Sequence, residues 1–121
     1  MADTRPLGGV TVVITRARDQ AAPLARRLAD LGAHVVEAPV IDIVGPADGG
    51  AALRRAVAEA ANGMYDWLVV TSTNGADRVV AALGAERTLP ATRVAAIGPA
   101  TAAVLERAGV VVDLVPERYV A

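Results

Sequence analysis

Three short segments carry the residue types from which a binding site can be built: Thr15-Arg16, Thr71-Ser72-Thr73-Asn74 and Gly98-Pro99-Ala100-Thr101. Each follows an apolar run and leads towards a stretch with helical spacing. At the start of a helix the backbone N–H groups lack intrahelical partners, and the aligned peptide dipoles add partial positive charge. Such a place receives an anion. The hydroxyls of Thr71, Ser72, Thr73 and Thr101 add donors, and the Arg16 guanidinium can fork onto a carboxylate. Gly98 lets a ligand approach the backbone closely. Pro99 suits the first helical turn, because the N–H it lacks would have had no partner there. Together the segments read as a site for a polyanion, carboxylate before phosphate. Structural roles compete with this at each point. Ser, Thr or Asn after a strand caps the next helix. Gly98-Pro99 makes a tight turn, and Arg16 can pair with Asp19 at the surface, a contact of small energetic weight.

The remaining chemistry-bearing residues narrow the reaction classes. Cysteine is absent, which excludes a thiol nucleophile, a disulfide framework and a cysteine metal site. All 12 basic residues are Arg, so Schiff-base chemistry and a P-loop lysine are excluded. The one histidine, His34, reads as a surface residue, and with no second His or Cys no metal site is expected. Glu37 and Asp42 have no readable carboxylate partner. No catalytic residue is singled out. Tyr65 and Trp67 read as packing at a sheet edge. The turn after the first strand is not G-x-G-x-x-G, which excludes a dinucleotide fold. A phospho-receiver domain would need acidic residues and a Lys where this chain has Thr15-Arg16, Thr71-Ser72 and no Lys.

The elements that must position these segments are legible as a pattern. Val10–Thr15 is a β-branched run expected to be a strand buried on both faces. After Asp19 a helical stretch is expected to Leu31, with apolar Leu24, Leu28 and Leu31 at helical spacing and Gly32 closing it. A second strand starts at Val35 and is given a resumption from Val40 to Val44. Pro46–Gly50 is a break, and Ala51–Ala61 a helix. Trp67–Thr71 is a third strand, followed by a helix over Gly75–Leu83 capped by Thr73 or Asn74. Arg93–Ile97 is a fourth strand, Ala100–Ala108 a helix, and Val110–Val115 a fifth strand. Strands and helices alternate, so the expected fold class is α/β: a parallel five-stranded sheet with helices on both faces, flavodoxin-like, in the order 2-1-3-4-5.

The chain has 121 residues, 54% hydrophobic, with a net charge of −1. That suits one packed domain over residues 10–115, after a tail over 1–9. Residues 116–121 read as the opening of a connector to a missing second half. No basic excess steers the chain onto nucleic acid, so no nucleic-acid partner is expected. No apolar run reaches the roughly 18 residues of a membrane span, so no membrane partner is expected either. The first nine residues are not a signal peptide, and the expected location is cytoplasmic.

Three stretches resemble one enzyme family. VVITRARDQAAPLARRLADLGAHVVEAPVIDI, YDWLVVTSTNGADRVV and RVAAIGPATAAVLERAGVVVDLVPERYVA are similar, in that order, to segments of uroporphyrinogen-III synthases. The resemblance runs from about Leu7 to Ala121. It implies half of a two-lobed family fold, with the first strand–helix–strand unit in one lobe and the following units in the other. It implies a lyase of tetrapyrrole and haem biosynthesis that closes the linear substrate hydroxymethylbilane to uroporphyrinogen III, inverting the last ring, without a metal or organic cofactor. The substrate carries many carboxylates, which suits the three segments. By the same match Thr15, Arg16, Thr71, Ser72, Gly98, Pro99 and Thr101 face the cleft and orient carboxylates rather than transfer protons. The expected state of the chain alone is catalytically inactive, with a domain-swapped homodimer as one way to fill its gaps. Two non-enzymatic readings stay open: an anion-binding or regulatory module of the same ancestry, and a dimerisation module.

Overall fold

The computed structural model describes residues 4–85 and 87–118. Among these residues four strands alternate with four helices: β1 (Thr11–Ile14), α1 (Arg18–Asp30), β2 (His34–Glu37), α2 (Ala51–Ala61), β3 (Trp67–Val70), α3 (Thr73–Leu83), β4 (Arg93–Ala96) and α4 (Pro99–Arg107). All strand pairing is parallel, as the alternation requires. Among the described residues the expected single five-stranded sheet is not seen. The strands make two separate pairs, β1-β2 and β3-β4. The chain divides accordingly into two compact units, Met1–Gly45 and Pro46–Ala121.

The first unit is a βαβ element. β1 and β2 pair in the register Thr11↔His34 to Ile14↔Glu37, which sets Val12, Ile14 and Val35 on one face. Ile14 is buried there, and α1 packs on β2. The other face carries Val13 and Val36, exposed by 58% and 40%, so this strand is not covered on both sides as its composition suggests. α1 closes as expected at Gly32 (φ 100°): its N–H bonds to Ala29 O and the next N–H, of Ala33, reaches back to Leu28 O. Its buried position is Ala21, whereas Leu24 and Leu31 stay exposed. A leucine row at helical spacing marks an apolar stripe; the small residue marks where helix and sheet approach closely. β2 does not resume after Glu37. Pro39 has no N–H to give a ladder, and Val40, Ile41 and Val44 are exposed.

The second unit holds the larger core. Val70, Ala76, Val79, Val94, Ala96, Ala102, Leu105 and Val110 pack together with little or no exposure. α2 packs on α3, α3 on α4, and α4 on β4. Alanine at positions 76, 96 and 102 allows these approaches, since nothing extends beyond Cβ. Thr92, just before β4, is 4% exposed; its hydroxyl lies 2.6 Å from Ala60 O and 2.8 Å from Tyr65 O and shares its one proton between them. That polar clamp fixes the end of α2 against the start of β4.

The expected fifth strand is reduced to a single bridge, Ala95↔Leu114. The segment does run beside β4: Ala96 N bonds to Leu114 O, and both Asp113 N and Leu114 N point to Val94 O. The Val94 N–H, however, is taken by the Asp113 carboxylate at 2.7 Å. Two consecutive donors on one carbonyl, and a side chain where a backbone carbonyl belongs, describe a bulge that ends the ladder. Of the expected connector, residues 116–118 have no helix or strand and 119–121 lie outside the described residues, as do residues 1–3 of the expected tail.

Candidate anion-receiving site

The loops after β3 and β4 lie side by side in the second unit. The pairing Val70↔Ala96 ends both strands at one level, and Ile97 N continues to Val70 O. Thr71–Asn74 and Gly98–Thr101 are therefore neighbours at the C-terminal edge of the pair, where open α/β sheets receive ligands.

The first of these loops turns into α3 through Ser72, not Thr73 or Asn74 as expected. Ser72 is extended (φ −149°, ψ 158°), and its Oγ accepts from Gly75 N at 3.0 Å. This is an ordinary N-cap, and it uses an Oγ lone pair. The hydroxyl proton stays available, because one oxygen can accept and donate at once. Thr73 and Asn74 begin the helix, half-buried, and their N–H groups are the first two of its turn. Thr71 is exposed.

The second loop turns into α4 at Gly98, with φ 92° and ψ 154° and no side-chain cap. That backbone conformation is essentially reserved for glycine. Pro99 occupies the first helical position and offers no N–H. The N–H of Ala102 already returns to Gly98 O, so Ala100 N and Thr101 N are the two donors left at this end. Ala100 is exposed, but Thr101 is only 4% exposed, packed in the first turn rather than standing open.

Thr15 and Arg16 belong to the first unit. Both are exposed after β1, and Thr15 O accepts from Val40 N at 3.2 Å. Arg16 forms no ion pair with Asp19. It lines a shallow cavity of about 210 Å³ with Arg18, Ala21, Glu37 and Pro39. α1 has no side-chain cap at its N-terminus: Ala17 stands in the cap position. His34 is exposed, and so are Tyr65 and Trp67, the latter lying beneath the Arg93 guanidinium at 4.4 Å from the ring centroid.

Polar residues that the sequence pattern did not mark do structural work. Asp48 accepts from Gly50 N at 2.8 Å and Ala52 N at 2.9 Å, which orders the entry to α2 and holds its carboxyl below the usual aspartate range. Tyr65 donates to Glu59 at 2.6 Å, and that carboxylate raises the phenol above its ordinary value. A turn of Asp, Gly and Gly before an Ala-rich helix was the available signal for the first.

Parallel strand–helix alternation defines an α/β protein. Comparison with known proteins specifies it further. The family model described as Uroporphyrinogen-III synthase HemD matches residues 22–121, and the chain belongs to the uroporphyrinogen-III synthase family. It is 35% identical to "Uroporphyrinogen-III synthase" of Synechococcus elongatus over 121 residues, covering 97% of this chain and 44% of that protein. It is 31% identical to "Porphyrin biosynthesis protein HemD" of Ruminiclostridium josui over 119 residues, covering 95% of this chain and 23% of that protein. The chain thus spans less than half the length of the curated relatives it matches. No described helix is long and apolar enough to cross a membrane.

Proposed function

We propose that this chain supplies part of the substrate site of a uroporphyrinogen-III synthase and is inactive without the remainder of such an enzyme. The carrying observation is the adjacency of two helix starts, α3 and α4, at the C-terminal edge of the β3-β4 pair. The free N–H groups of Thr73, Asn74, Ala100 and Thr101 and the proton of Ser72 Oγ form a set of neutral donors. They suit carboxylates: each can donate a charge-assisted hydrogen bond to a carboxylate oxygen without a counter-ion being buried. Thr71 adds an exposed hydroxyl. In the first unit, Thr15 and Arg16 give a separate carboxylate-binding end.

The substrate, hydroxymethylbilane, is a flexible linear tetrapyrrole. Its terminal hydroxyl leaves as water, giving an electrophilic azafulvene. Ring closure through a spiro intermediate then gives uroporphyrinogen III. The protein's task in that scheme is to hold one folded conformer by its carboxylates and to keep water away from the azafulvene carbon. A site built from backbone donors and hydroxyls, with no paired acid and base, suits orientation rather than proton transfer.

The test is cyclisation of hydroxymethylbilane by two samples, this chain alone and this chain continued with the remainder of a family synthase. Product is resolved into type I and type III isomers, because spontaneous closure gives type I. Type III from the continued chain only is the expected result. Type III from neither, with carboxylate binding retained, would replace the reading by a non-catalytic anion-binding module.

A further inference from the structure

At the other end of β4, the second unit contains a cavity of about 410 Å³ between the segment before β4 and the one after α4. That is within the size range of small-molecule pockets, roughly 300–1,000 Å³. Leu89, Pro90, Val110 and Val111 give it apolar walls, and Arg87 and Arg93 are among the residues that line it. β4 is four residues long, so this cavity is about 13 Å along the strand from the Gly98 loop.

Both guanidiniums are held in place while keeping donors free. Arg93 lies over the Trp67 ring, 4.4 Å from its centroid, a contact that uses the face of the guanidinium and none of its N–H groups. Arg87 Nη1 donates to Val80 O at 3.2 Å, and its Cβ lies 3.9 Å from where a side chain on Gly109 would begin. Among the described residues neither is paired with a carboxylate. Of the described residues, the acid that lines the cavity is Asp113, already engaged with Val94 N. The lining thus carries, among the described residues, two guanidinium side chains and one engaged carboxylate beside an apolar wall.

We propose that this cavity is a second ligand site, separate from the strand C-terminal loops, for a small amphiphilic carboxylate whose flat or branched apolar body sits on Leu89, Val110 and Val111 while Arg87 and Arg93 hold its carboxylate. An inorganic anion would leave the apolar wall uncovered, and a neutral hydrocarbon would leave the guanidiniums unanswered. The combination selects a ligand with both parts.

The probe is 2-naphthoate, added to the ¹⁵N-labelled chain and followed by amide chemical shifts, with 2-naphthylmethanol as the neutral match. Saturable shifts are expected between residues 87 and 94 and between 109 and 113. Arg87→Gln and Arg93→Gln should each weaken binding about tenfold, the scale of a charge-assisted hydrogen bond. Arg107→Gln, on the exposed side of α4, should leave it unchanged. Each variant's amide spectrum reports its fold, so lost binding in a folded variant is distinguishable from unfolding. No saturation through about 10 mM naphthoate would overturn the proposal, since weaker binding has no use as recognition. So would equal affinity for the alcohol, or shifts centred on residues 71–74 and 98–101. None of these outcomes bears on the cyclisation assay.

Discussion

The carboxylate of Asp113 stands 2.7 Å from the backbone N–H of Val94, in the position where a neighbouring strand would offer a carbonyl. Val94 is 1% exposed, and the Asp113 carboxylate is the acceptor its N–H has in the fold. Asp113→Ala should therefore leave a buried donor unmet and cost about 1–3 kcal/mol. Asp113→Asn keeps an oxygen acceptor and should cost less. Urea unfolding followed by far-ultraviolet circular dichroism measures both. Equal losses for Ala and Asn would mean the carboxylate's charge, not its position as acceptor, matters.

The buried hydroxyl of Thr92 makes a second, independent prediction. Thr92→Val preserves the side-chain shape but removes the donor that serves Ala60 O and Tyr65 O. The expected loss is about 1–3 kcal/mol, with Thr92→Ser losing less. The same substitution should speed amide exchange at the C-terminal end of α2 and the start of β4, since the clamp joins those two ends. A uniform change in exchange across the second unit would show that the hydroxyl stabilises the whole rather than the junction.

These two residues also show where the sequence was readable. The apolar runs starting at Val10, Trp67 and Arg93 mark strands and the Ala-rich 51–61 stretch a helix, and the elements form there. Alternation of strand and helix correctly gives parallel pairing. It does not specify which strands are neighbours, so one sheet was expected where two pairs occur. Val110–Val115 has a strand's composition, but Asp113 sits inside it, and only the fold reveals that its carboxylate replaces a ladder carbonyl. The loops after β3 and β4 were legible as strand-to-helix turns because small and polar residues between an apolar run and a helical stretch serve as caps and turns. The cavity at Arg87 and Arg93 was not legible, since its parts are brought together by the return of the chain after α4.

Asp48 predicts a pH dependence. Its carboxylate accepts from Ala52 N and Gly50 N, which lowers its pKa from the ordinary 3.8. A group with a depressed folded-state value adds stability above its unfolded value. That contribution is lost as pH falls through the folded value. Order at the start of α2 should thus hold at neutral pH and begin to fail below about pH 4. Asp48→Asn should flatten this part of the profile and lower the melting temperature at pH 7. Amide exchange at Gly50 and Ala52 reads the effect locally. A profile for Asp48→Asn that matches the parent between pH 5 and pH 3 would sink the assignment.

At the α4 start a folding role and a binding role of glycine are separable by substitution. Gly98 holds φ 92° and ψ 154°, and Gly63 holds φ 77° with a would-be Cβ 2.9 Å from Ala91 Cβ. Both therefore resist alanine, at about 1–3 kcal/mol for a non-glycine residue in such backbone. Only Gly98 directs the free N–H groups of Ala100 and Thr101. In the chain continued with the remainder of a synthase, Gly98→Ala should lower type III product well beyond what its stability loss explains. Gly63→Ala, with a comparable stability loss, should leave the activity of the folded fraction near the parent's. Stability is read from urea unfolding and activity from isomer analysis at a temperature where both variants are folded. If the two variants lose activity in proportion to stability alone, the loop before α4 only shapes the turn, and its free N–H groups do not meet the substrate.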